Sequence, residues 1–259
     1  MGLSLGIGLG VNKKDVVSSD FTPATLGSTM VVWYKNATGI TNLTGADTRE
    51  DNRLTWSDQS GNNNHAIQDT NGDKPDIDQE GYEGGLKFEL DDTDTMDLTG
   101  ALEFGHPNPF TFFFVVKRET ITTQQALIGS TGANQFISFA SNADKLKVRS
   151  AGTGGDNITF TFATSGLWVA ETNFILTVSK DSAGKLLVYK NGVHQAESGG
   201  GISVNDGATM TLAYLGSKTD ADLHNFDGGM LEIILCDTVL STDDRNDTIT
   251  YLKNKFSIS

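Results

Sequence analysis

The residues best placed to do chemistry lie at positions 54–68, LTWSDQSGNNNHAIQ. Asp58, Ser60, Asn62 and Asn64 offer side-chain oxygens at every second position, and Asp69 stands where an EF-hand-like loop would end. Asp58, Asn62, Asn64 and Asp69 are therefore candidate calcium ligands. Two departures count against the metal: the glycine is Gly61 and not the sixth loop residue, and only two of these ligands carry charge. The competing reading is a self-bonded turn beneath Trp56. Asp and Asn side chains bond their own backbone two residues on, and Gly61 supplies a positive φ.

Other reactive side chains form no pattern. No G-x-S-x-G marks a nucleophilic serine. His65, His106, His194 and His224 are scattered without metal-ligand spacing, and loop or hairpin roles account for them. The single cysteine, Cys236, follows the apolar run 230–235, which predicts a buried, inert thiol and excludes a disulfide framework within one chain. Such cysteine usage suits intracellular folding followed by assembly or release.

These residues must be positioned by strands. The 259-residue chain holds 29 glycines and 4 prolines, with its apolar residues in short β-branched and aromatic runs. A net charge of −14 argues against nucleic acid or an anionic membrane as partner. No apolar run reaches the length of a membrane-spanning helix, and the N-terminus lacks the basic segment of a classical export signal.

Residues 1–29 read as an N-terminal extended arm and linker, and residues 30–259 as one domain. In the arm Leu3, Leu5, Ile7, Leu9 and Val11 alternate with Gly2, Ser4, Gly6, Gly8 and Gly10. This period of two gives one apolar face and one nearly bare backbone face. It predicts an assembly arm that adds a strand to a sister subunit or neighbouring sheet edge, against the alternative of a disordered leader.

Strands are expected at residues 29–34, 85–90, 110–117, 126–129, 135–140, 145–150, 158–163, 174–180, 185–190, 209–215 and 229–237. FTFFFVVK at 110–117 is apolar on both faces and belongs at the centre of a sheet. Residues 36–52 read as a surface loop and 151–157 as a Gly-rich hairpin tip. Asn191-Gly192 predicts a type I′ turn. The chain closes with a helix: Ser241 and Asp244 resemble a capping box, and Ile249, Leu252 and Phe256 share one face.

Several motifs, in order, resemble those of laminin-G-like, concanavalin A-like jelly-roll domains. W-x-D-x-S-G-N-x-N-H-A begins at Trp56, and Lys87-Phe88 precedes the acidic stretch 91–97. The aromatic strand begins at Phe110, and Val188-Tyr189-Lys190-Asn191-Gly192-Val193 forms a hairpin motif. Phe226-Asp227-Gly228-Gly229 leads to Glu232-Ile233-Ile234, and Tyr251-Leu252-Lys253-Asn254-Lys255-Phe256 closes the chain. The resemblance covers about residues 30–256 and departs from the family at Cys236, where an aromatic is usual. It implies an all-β, antiparallel concanavalin A-like jelly-roll sandwich with a short C-terminal helix.

The same resemblance implies carbohydrate binding through exposed aromatics, for which Tyr82, Trp168 and Tyr214 are candidates, although Trp168 equally suits a core position. Glycoside hydrolases of this fold carry a compact E-x-D-x-x-E set, which is missing here. Glu80 and Glu83 lie in a Gly-flanked loop and Glu232 stands alone on its strand. No catalytic residue is expected, and no cofactor beyond the calcium alternative. The leader also resembles the Gly/Leu-alternating starts of tail and head-associated proteins of marine phages. The resulting expectation is a non-enzymatic virion structural protein, a capsid decoration, fibre or tail-associated subunit. Its arm would contact other virion proteins or sister subunits in a homo-oligomer, and its loops host glycans. The alternative is a soluble or surface-displayed lectin.

Overall fold

The computed structural model describes residues 21–42, 53–77, 79–105, 107, 109–131, 135–141, 145–150, 158–162, 166–196, 209–219 and 224–259. The arm residues Leu3, Leu5, Ile7, Leu9 and Val11, the tip at 151–157 and His106 lie outside them. Numbered along the chain, the first strands are β1 (Met30–Tyr34), β2 (Ile40–Asn42), β3 (Leu54–Trp56), β4 (Ala66–Gln68), β5 (Asp76–Ile77) and β6 (Leu86–Phe88). Next come β7 (Met96–Phe104), β8 (Phe110–Arg118), β9 (Gln125–Gly129), β10 (Phe136–Phe139), β11 (Lys145–Arg149) and β12 (Ile158–Thr161). The series ends with β13 (Asn173–Lys180), β14 (Leu186–Lys190), β15 (Val193–His194), β16 (Met210–Leu215), β17 (Gly228–Cys236) and the helix α1 (Thr242–Phe256).

The strands form two antiparallel sheets, so the chain is an all-β sandwich with one short C-terminal helix. An eight-stranded sheet runs β15-β14-β13-β8-β17-β6-β5, with β1 paired to the second half of β17. A nine-stranded sheet runs β12-β11-β10-β9-β16-β7-β4-β3-β2. Strand β2 falls within the stretch expected to be loop. Ile40 and Thr41 are β-branched and pair with Trp56 and Thr55, which makes them an edge strand.

Strand β8 lies between β13 and β17, and its two faces serve two cores. Phe110, Phe112, Phe114 and Val116 point between the sheets. Phe113 and Val115 point outward, into a second cluster with Ile249 and Leu252 of α1. Each of these side chains contributes about 1.5–3 kcal/mol when taken out of water. The 3-10 turn Pro23–Thr29 joins the second cluster through Leu26, so the chain is tied to the sandwich before β1 begins.

Strand β17 repeats the two-faced pattern with one interruption. Met230 pairs with Val116 and Glu232 with Val115, so a β-bulge leaves Leu231 as an extra residue. Leu231 and Glu232 thereby both face the helix. Glu232 is 1% exposed. It accepts the Trp33 indole N–H at 2.8 Å, the Tyr251 hydroxyl at 3.2 Å, the Asn36 N–H at 3.3 Å and the Lys255 ammonium at 2.5 Å.

The local signals at the end of the chain hold. The Ser241 Oγ accepts the Asp244 N–H at 3.1 Å and donates to its carboxylate at 2.7 Å. Asn191 and Gly192 both have positive φ, 48° and 79°, as a type I′ turn requires. Cys236 is buried, and its thiol is pushed up to about 12.

Asp94 closes the turn between β6 and β7 by accepting the Glu89 N–H at 2.8 Å. Burial, with smaller contributions from Asp92, Glu89 and Asp76, pushes its carboxyl up to about 7. The folded chain therefore holds a proton that the unfolded chain releases near pH 4. That contribution to stability is complete below about pH 4 and is lost as pH rises through 7. Asp94→Asn, which does not titrate, should gain about 2 kcal/mol on the parent at pH 8, roughly half of what three pH units are worth because solvent screens part of the effect, and nothing at pH 4. Urea unfolding at the two pH values checks this; an equal difference at both would assign the effect to shape and not to charge.

Candidate functional site

Residues 57–65 fold as a turn that closes the end of β1. The Asp58 carboxylate accepts the Trp33 N–H (2.9 Å), the Ser60 N–H (2.8 Å), the Ser60 hydroxyl (2.7 Å) and the Asn64 N–H (3.2 Å). The amides of Asn62 and Asn64 donate to the carbonyls of Met30 and Val31, each at 2.9 Å. His65 Nδ1 accepts the Asp58 N–H at 3.1 Å, a structural role. Asp69 sits at the other end of the β3–β4 hairpin, because Leu54 pairs with Gln68 there, and it is bound to Arg53 at 2.7 Å. The four calcium candidates therefore do not converge. Among the described residues no group of three or more His, Cys, Asp or Glu could hold a metal ion.

Asp58→Ala should cost about 2 kcal/mol, since it leaves inward-facing N–H groups without acceptors. Calcium or a chelator should leave the melting temperature in place. A rise of several degrees with calcium would overturn the turn reading.

Two of the three aromatics expected to stack on sugar are packed inside. Trp168 is 1% exposed, with its ring 5.2 Å from Phe139, 5.2 Å from Phe162 and 4.9 Å from Phe174. Tyr82 is 5% exposed; its hydroxyl donates to Glu119 at 2.5 Å, and Lys117 lies 4.4 Å over its ring. Burial and the Glu119 carboxylate hold the Tyr82 phenol above its usual range. Gly229 makes the space for that ring, since a Cβ there would lie 2.2 Å from it. Neither ring offers a face to solvent. Tyr214 is half-buried and sits elsewhere.

Tyr214 belongs to the outer face of the nine-stranded sheet. Strand β16 sends Met210, Leu212 and Leu215 into the inter-sheet core, and a register shift between Leu212 and Tyr214 turns Tyr214 outward. The pairing places Thr55, Ile67, Asp97, Tyr214, Gly129, Phe136 and Arg149 in one continuous row across the sheet. A neighbouring row holds Ala126, Ser138 and Lys147. The helix lies on the opposite sheet, so no helix of the described residues covers this face.

One loop crosses it. The Lys218 backbone passes over Gly129, where a Cβ would lie 2.2 Å from the Lys218 carbonyl oxygen, and that oxygen accepts the Ser130 N–H at 3.1 Å. The Lys218 ammonium then lies 4.7 Å from the Phe136 ring. Lys147 donates to the Gln124 amide oxygen at 2.9 Å, and Gln124 donates to Ser138 at 3.2 Å. The exposed His224 is tied in by its carbonyl, which accepts the Ala126 N–H at 2.6 Å. Burial, with Arg149 and Lys147 nearby, lowers the Lys218 pKa, and burial with Lys218 and Lys147 lowers that of His224. The cations of β11 were missed from sequence, although KLKVR places Lys145, Lys147 and Arg149 on one side of a strand.

No family model matches the chain, and no curated protein matches it in sequence. Solved structures match its fold. The binding domain of botulinum neurotoxin DC in complex with SialylT has a TM-score of 0.57 at 13% identity, over 89% of this chain and 52% of that one. The binding domain of Paraclostridial Mosquitocidal Protein 1 gives 0.55 at 13%, over 91% and 53%. Trypanosoma rangeli sialidase in complex with sialic acid gives 0.53 at 13%, over 88% and 33%. The chain thus spans about half the length of the toxin binding domains and a third of the sialidase. At this identity the likeness is one of fold.

Proposed function

We propose that this chain is a non-catalytic, glycan-binding module that uses the outer face of its nine-stranded sheet. One observation carries the reading: α1 seals the outer face of one sheet, while the other sheet presents a row of polar, charged and aromatic groups around Tyr214. A broad, shallow face with an aromatic ring and hydrogen-bonding neighbours suits a sugar chain, whose rings stack on one side and donate on the other. Two solved structures that share the fold over part of their length, a toxin binding domain in complex with SialylT and a sialidase in complex with sialic acid, support it. So does Glu232, the carboxylate that stood alone on its strand, because it is committed to Trp33, Tyr251 and Lys255. Screening the full chain against a panel of neutral and acidic oligosaccharides tests the reading. Saturable binding to any class supports it, and binding to none overturns it.

A second reading concerns where the module is carried. The alternation of Leu3, Leu5, Ile7, Leu9 and Val11 with small residues favours an arm that adds a strand to a neighbour, as a virion structural subunit would need. In this reading the chain is a homo-oligomer or joins other particle proteins. Aspartate at Leu5, Ile7 and Leu9 together should reduce the mass of the full chain, measured by light scattering, to that of a monomer. An unchanged mass would overturn self-association through the arm.

A further inference from the structure

On the β9–β11 side of the open face, away from Asp97 and Glu103 of β7, the charge runs against that of the chain. The whole protein carries −14, yet Lys147, Arg149, Lys218 and His224 meet over three adjacent strands of one face. Two independent features bring them together. Strand β11 alternates, so Leu146 and Val148 enter the core and Lys147 and Arg149 point outward, about 6–7 Å apart along the strand. The loop over Gly129 then adds Lys218 from a distant part of the sequence, directly above the ring whose Cα partner is Arg149.

The placement is built. Gly129 is the glycine of the row, and the loop crosses there because any side chain would collide with the backbone of Ser217 and Lys218. Gln135 staples the same region by donating to the Thr209 carbonyl at 2.7 Å and accepting the Thr211 N–H at 2.7 Å. Among the described residues the hydrogen-bond partner of Lys147 is an uncharged amide, and the charges that act on Lys218 and on His224 are other cations. Like charges held this close repel one another, and an anion placed among them relieves that repulsion. Tyr214, one strand across from Gly129, supplies the apolar part of the same surface, while the Phe136 ring is buried beneath the Lys218 ammonium.

We infer that this face selects acidic glycans, whose sugars carry carboxylate or sulfate groups, with Lys147 and Lys218 meeting the anionic group and Tyr214 meeting the ring. The inference rests on the glycan-binding reading and names its ligand class. The acidity of the rest of the chain sharpens the choice, because it repels a long polyanion that overruns the patch.

The test uses matched pairs on the full chain by calorimetry at low salt. Oligogalacturonate is set against its methyl ester for carboxylate, and carrageenan oligosaccharide against agaro-oligosaccharide for sulfate. An acidic member should bind about tenfold tighter than its neutral counterpart, and Lys147→Gln with Lys218→Gln should abolish that preference. Lys185→Gln with Lys253→Gln removes equal charge elsewhere and should leave it intact. Melting curves confirm that both double variants are folded. Equal binding of acidic and neutral members overturns this inference and leaves the glycan reading standing. Retention of the preference in the Lys147/Lys218 double variant also overturns it. Binding of neither member of either pair, nor of any panel sugar, overturns both. Tighter binding of a thymidine oligomer than of either acidic sugar would assign the face to nucleic acid.

Discussion

Replacing Trp168 with alanine should destabilise the sandwich by about 4 kcal/mol, the scale for emptying a large aromatic site in a packed core. The ring touches Phe139, Phe162 and Phe174, and the Lys190 ammonium caps its far side at 5.7 Å while donating to the Leu167 carbonyl. These contacts join β10, β13 and the segment after β12, so the cavity could not collapse without moving both sheets. Trp168→Phe keeps an aromatic against the same three rings and should cost less than half as much. Urea unfolding with an unchanged slope measures both. Trp168→Phe should also leave glycan affinity as it was. A large loss of affinity in a fully folded Phe variant would return Trp168 to the binding surface.

Glu232→Ala should cost about 3 kcal/mol, because it strands the Trp33 indole, the Tyr251 hydroxyl and the Lys255 ammonium around an apolar methyl. The loss falls on the attachment of α1, so Phe113, Val115 and Ile234 should bind a hydrophobic dye before the inter-sheet core opens. Lys255→Met should cost less, since that ammonium is partly exposed and the carboxylate keeps three neutral donors. The double variant should be more stable than the sum of the single losses predicts, by at least about 1 kcal/mol. Strict additivity would mean that the pair does not hold the helix.

Much of this architecture is legible locally. Residues 110–117 are apolar on both faces because β8 is covered on both, by the other sheet and by the helix cluster. The Asn191-Gly192 turn and the Ser241 cap are set by residues within a few positions of each other, where spacing alone is informative. The site is less legible because long-range pairing decides it. Trp168 and Tyr214 look alike in sequence, but three rings from other elements bury the first, while a register shift in β16 turns the second outward. Asp58 and Asp69 have calcium-loop spacing, yet hairpin register puts them at opposite ends of two strands. The alternation of cations in β11 was visible. Its meeting with Lys218 was not, because it depends on a loop crossing over Gly129.

The proposed glycan-binding face is tested most directly by hydrogen exchange of the full chain, alone and saturated with the tightest-binding oligosaccharide of the panel. Ligand should slow exchange in β9, β10, β11 and β16 and in residues 216–219, and leave α1 and residues 57–65 unchanged. Protection confined to residues 57–65 or to the helix-covered sheet, with none on β9–β11, would contradict the placement of the site.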